Sequence, residues 1–161
     1  RRFVRTEGIS SSYIHMGGAV GVLVNFDTTD EVAATEEFKV MGKDVAMQIA
    51  AMSPSYLDPA AVPADVIEHE TEILKAQMKE DPKNAGKPDN ILEKMLMGKI
   101  NKFFEQNCLN QQEFVKDSNF VVEKYLDSKG VKLVDFVRFE KGEGLAKKEE
   151  NFADEVASMM K

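Results

Sequence analysis

The sequence contains one cysteine, two histidines and no tryptophan. A lone thiol forms no internal disulfide, which fits a reducing cytoplasm. His15, His69 and Cys108 are the only soft metal-ligand candidates, and their spacing matches no zinc pattern. Basic charge is also scarce: 21 Lys and Arg against 28 Asp and Glu give a net charge of −7. Domains that bind DNA or RNA carry a basic excess or stripe, and the only tight basic group here is Arg1, Arg2 and Arg5. Long apolar runs are missing as well. The longest, at 19–24, is interrupted by Gly21 and falls far short of the ~18 residues of a membrane span. The opening RRFVRTEG has no initiator Met and no apolar signal-peptide core, as expected of a domain cut from a longer protein. These deficits point to a soluble cytoplasmic protein that binds protein, with no nucleic acid, membrane, metal or cofactor.

What the chain does have is enough apolar material for one core. Of its 161 residues 43% are hydrophobic, including ten Phe and nine Met, and a chain of this length folds without staples. Three short strands are expected at 3–8, 11–15 and 19–26, with Gly8 and the Gly17-Gly18 pair as turns. From Asp30, a reasonable N-cap, the period changes to that of a helix through Val32, Phe38, Met41, Val45, Ile49 and Met52, ended before Pro54. Two further amphipathic helices are expected, one at about 64–80 and one carrying Ile91, Leu92, Met95, Leu96, Ile100, Phe103 and Phe104, separated by the breaker DPKNAGKP. Joined by so short a loop, they must run antiparallel and face each other as a projecting hairpin. A helix from Ser118 to Lys129 with Gly130 beyond it is expected next, then a strand at 131–140 and a terminal helix at 149–160. The order implies an α+β fold: a small antiparallel sheet packed on helices, with a protruding antiparallel helical hairpin.

No catalytic constellation stands out. Gly17-Gly18 with Gly21 lacks the Lys-Ser/Thr pair of a phosphate loop, and a strand follows it. Cys108 closes the second hairpin helix, where a small buried hydrophobe is the simplest role. It would be a nucleophile only if the fold brought a histidine to it. The residues alone describe a non-enzymatic interaction module.

Seven segments, in order, resemble bacterial elongation factor Ts. They are YIHMGGAVGVLV (13–24), KDVAMQIAAMSPSYL (43–57), VPADVIEHE (62–70), GKPDNILEKMLMGKINKF (86–103), EFVKD (113–117), FVRFEKGEG (136–144) and FADEVASMM (152–160). The resemblance covers nearly the whole chain. It implies a fold like that family's dimerisation domain: a sheet-plus-helix core subdomain at 1–62 and 109–144, an inserted hairpin at 63–108 and a C-terminal helix module at 145–161. It also implies a guanine-nucleotide exchange factor that binds elongation factor Tu and promotes GDP release during protein synthesis. The alternative is a structural dimerisation or protein-interaction module, a homodimer, with no exchange activity of its own.

In the family, a first sheet subdomain presents a threonine-aspartate-phenylalanine-valine motif to the magnesium and phosphate site of elongation factor Tu. A second subdomain grips another domain of that partner, and the C-terminal helix braces the nucleotide-binding domain. The present chain resembles the second subdomain, the hairpin and the C-terminal helix. Its DTTDEVAATEEF (27–38) is similar to the motif and the helix after it, but Glu31 stands where the family has phenylalanine. A carboxylate cannot replace an intruding apolar wedge, so Asp30 is expected to cap a helix. Positions matching family contact sites are His15, Lys43, the apolar pair Phe114 and Val115, and Phe152, Val156 and Met159. For His15 a satisfied sheet-edge histidine remains open. For Phe114 and Val115 a loop folded onto its own core remains open, and Asp44 departs from the histidine of some members beside Lys43.

Overall fold

A computed structural model of the chain describes residues 4–145. Its centre is a three-stranded antiparallel sheet, β1 (Ile9–His15), β2 (Val20–Asp27) and β5 (Lys132–Glu140), with β2 in the middle. Alternate residues of a strand face opposite ways, and β2 turns Val20, Val22, Val24 and Phe26 into the core. Helix α2 (Glu36–Met52) covers that face with Phe38, Met41, Val45, Ala46 and Ile49. Each large apolar side chain so buried contributes about 1.5–3 kcal/mol. The helix lies very close to β1 at Gly42, where an added Cβ would fall on the Ser11 hydroxyl.

Three expectations about local structure are corrected. The strand expected at 3–8 does not form over 4–8. Gly8 has φ of 85°, which turns the chain before β1 begins, so the order opens β-β-α. The β1–β2 turn, Met16–Gly18, has φ of 49°, 62° and 98°, a left-handed run that the glycine pair makes accessible.

Asp30 is not the helix cap. Thr29 holds that position, its hydroxyl accepting the Val32 N–H at 3.3 Å, and the helix it starts, α1 (Asp30–Ala33), is one turn long. Thr35 then caps α2 by accepting the Phe38 N–H at 3.1 Å. The single helix expected from Asp30 is therefore two, because a second threonine cap restarts it.

Ser118 caps no helix either. It lies in β4 (Asp117–Val121), which pairs with the short β3 (Glu113–Phe114), and α5 (Val122–Asp127) begins later. Phe120 and Val121 are β-favouring, and the Asp117 carboxylate accepts the Asn119 backbone N–H at 3.1 Å. The strand expected at 131–140 also contains a bulge. Phe26 pairs with Leu133 and Asn25 with Asp135, leaving Val134 as the extra residue, 52% exposed.

Helices α3 (Ala64–Glu80) and α4 (Asp89–Asn107) form the expected antiparallel hairpin. Its buried Leu74 and Met78 are not members of the main core cluster. Asn84 closes the tip by donating to the Met78 carbonyl at 2.9 Å and accepting from the Lys87 ammonium at 2.8 Å. The base is fastened to the body by backbone bonds from Ser55 and Tyr56 to the Asn107 carbonyl, each 3.0 Å, and from Leu109 to the Tyr56 carbonyl at 2.9 Å. No helix among the described residues is long and apolar enough to cross a membrane.

Candidate partner-binding surface

Among the described residues the expected contacts fall at three places, and the structure treats them differently. His15 ends β1 beside the turn, half-buried, opposite Val20. Its Nδ1 lies 3.1 Å from the Tyr13 hydroxyl, so the strand itself supplies one ring nitrogen with a partner. Lys43 is exposed on α2 and borders a depression shared with Ser10, Ser11 and Ser12 of β1. Phe152, Val156 and Met159, with the helix expected at 149–160, lie outside the described residues.

Phe114 and Val115 do not act as a pair. Phe114 is 1% exposed and stacks on Tyr125, with ring centroids 4.3 Å apart and planes tilted by 24°. Its ring belongs to the core with Val122, Leu126 and Val131, so of the two readings left open for Phe114 the loop folded onto its own core is the one observed. Val115 is 49% exposed. It forms, with Lys116, the two-residue tip between Phe114 and Asp117. The Lys116 ammonium reaches the Asp44 carboxylate on α2 at 3.5 Å, so Asp44 and Lys43, adjacent in sequence, serve different neighbours. The strands thus present an apolar side chain and a cation at one tight turn.

The sheet offers a second exposed region. Residues directly opposite on neighbouring strands share a face, so Ile14, Gly21 and Phe139 form one row and Ser12, Leu23 and Val137 the next, on the side away from α2. Ile14 is 66% exposed and the other large residues of these rows are half-buried. Sequence reasoning missed this face because the pairing of β1, β2 and β5 that sets these rows side by side is displayed in no single strand.

No group of described residues is arranged to hold a metal ion. Cys108 is wholly buried at the end of α4, and that burial, aided by the nearby Asp58 charge, pushes its thiol up to about 11. A thiol that stays protonated at neutral pH is a poor nucleophile. His69 is exposed on α3.

The described residues therefore define a small α+β fold with a helical hairpin between α2 and β3 and with Val115 and Lys116 at a tight turn. Residues 1–143 match the sequence profile of the family Elongation factor TS. The chain is 50% identical over 165 residues to elongation factor Ts of Carboxydothermus hydrogenoformans, covering 98% of this chain and 74% of that protein. It is 48% identical over 162 residues to elongation factor Ts of Geotalea uraniireducens, covering 96% and 73%. Against elongation factor Ts of a Nitratiruptor species it is 46% identical over 171 residues, covering 100% of this chain and 54% of the relative. The chain belongs to the elongation factor Ts family of translation factors.

Proposed function

We propose that this chain is a binding portion of a guanine-nucleotide exchange factor whose partner is elongation factor Tu, acting in the cytoplasm. The observation that carries the reading is the family match across residues 1–143. In this reading the Val115–Lys116 tip, His15 and Lys43 grip one domain of the partner, and Phe152, Val156 and Met159 brace another. Exchange makes and breaks no covalent bond, so the chain needs no catalytic group: it binds nucleotide-free partner better and so lowers the partner's affinity for GDP. Linkage requires GDP to lower the affinity for this chain by the same factor.

The segment Thr29, Asp30, Glu31, Val32 limits what the chain does alone. Glu31 is exposed on the first turn of α1, at the position where the family's motif carries its apolar wedge. A carboxylate there would meet the phosphates of a bound nucleotide with like charge. Capture of elongation factor Tu on the immobilised chain, with and without GDP, tests the reading. With so small a preference for nucleotide-free partner, capture that GDP diminishes only modestly supports it, and failure to capture elongation factor Tu in either state contradicts it.

One observation favours a second reading, a self-associating structural module: the apolar rows of Ile14, Leu23, Val137 and Phe139 on the outer sheet face. Sedimentation of Ile14→Asp against the unaltered chain tests it. A dimer lost on substitution supports self-association through this face, and a monomer in both cases removes it.

A further inference from the structure

The tip that carries Val115 has the wrong backbone for its own shape. Two-residue connections between antiparallel strands favour turns with positive φ, usually supplied by Asn or Gly. Val115 and Lys116 hold that place here, and the only non-glycine residues with positive φ are Met16 and Ser53 among the described residues. A β-branched residue in such a turn gives little local preference for one pose, and the β3–β4 register is irregular at Glu113 and Phe114. The conformation must be set from elsewhere.

Gln48 supplies it. It is an uncharged amide buried on the apolar side of α2, between Val45 and Ile49. Its Oε1 accepts the Val115 backbone N–H at 2.8 Å, and its Nε2 donates to the Glu113 carbonyl at 3.1 Å. One side chain thus holds the backbone on both sides of Phe114. The same Nε2 lies 3.2 Å from Oε1 of the buried Gln112, whose Nε2 donates to the Gln106 carbonyl near the end of α4 at 2.9 Å. A single buried chain of amides therefore links the hairpin base, α2 and the tip. Buried polar groups that are fully satisfied specify one arrangement, and the loss of one member leaves the others uncompensated. An apolar residue at position 48 would fill the same space without fixing the tip.

We propose that Gln48, supported by Gln112, is the positioning residue that sets the pose of the Val115–Lys116 tip for its protein partner. This rests on the reading of that tip as a contact with elongation factor Tu. The test is a double-mutant cycle on the 161-residue chain, with affinity for elongation factor Tu as the readout and melting temperature and amide exchange at Val115 beside it. Gln48→Met and Val115→Ala are each expected to weaken binding about tenfold, as loss of an interface anchor does. The double variant should be little weaker than either alone, because the side chain has no fixed place once its backbone is released. Exchange at Val115 should quicken in Gln48→Met while amides of β2 stay protected.

Val115→Pro covers the case in which Gln48→Met fails to fold. It deletes the N–H that Gln48 accepts, puts an apolar ring in place of the isopropyl group at a turn position proline favours, and should also weaken binding. Losses that simply multiply, to about a hundredfold, would show two independent effects and overturn the inference. So would Val115→Ala weakening binding while Gln48→Met, or Val115→Pro in its place, does not. If Val115→Ala itself binds like the unaltered chain, the tip is no contact and the reading of the surface fails first.

Discussion

Replacing Phe114 by alanine should cost folding far more than it costs recognition. The ring is 1% exposed, stacked 4.3 Å from Tyr125, and shares a cluster with Val122, Leu126 and Val131. Truncating a buried phenylalanine removes about 3–5 kcal/mol, the transfer energy of the ring plus the cavity left behind. Each kcal/mol shifts the midpoint of a domain this size by about 2–4 °C, so the melting temperature should fall by roughly 10 °C. Val115→Ala, at a half-exposed tip, should move it little. Thermal unfolding by circular dichroism and binding of elongation factor Tu, measured well below the midpoint, separate the two variants. An unchanged midpoint for Phe114→Ala together with lost affinity would refute the assignment, because the ring would then have to leave the core to meet the partner.

Three further outcomes are expected. Glu31→Phe restores the apolar side chain at the exposed first turn of α1 and should speed GDP release from elongation factor Tu; a rate no higher than that of the unaltered chain would remove the motif argument. Replacing residues 65–105 by a short Gly-Ser linker should leave the sheet folded, since Leu74 and Met78 lie outside the main core, and complete loss of the circular dichroism signal would show the hairpin to be part of it. Cys108 stays protonated to about 11 in the native chain against 9.0 for a free thiol. The unfolded chain loses that proton first as pH rises, so stability should fall between these values, and Cys108→Ala should flatten the fall in urea titrations at several pH values.

Much of the architecture was legible because its signals are local. Alternation in β2, the two stripes of the hairpin and the breaker between them each report one element without reference to its neighbours. The errors came where two local signals competed. Thr29 and Thr35 are better caps than Asp30 because their extended backbones place a hydroxyl over the third N–H beyond. Ser118 has the chemistry of a cap, but β3 offers its strand a hydrogen-bonded partner that the sequence does not display. The candidate surface was harder to read. Phe114 and Val115 are adjacent and similar in hydrophobicity, and only tertiary packing decides which of them faces out. Gln48 had one visible signal, an amide within an apolar helical stripe, yet its partners lie 64 to 67 residues away.

The most direct test of the account is stopped-flow release of a fluorescent GDP analogue from elongation factor Tu at saturating concentrations of this chain. Binding without an apolar wedge at position 31 gives little difference in affinity between nucleotide-bound and nucleotide-free partner, and a ligand with little differential affinity shifts little however tightly it binds. The expected result is saturable but slight acceleration. Release as fast as that produced by a full-length family member would contradict it and place the exchange trigger within these 161 residues.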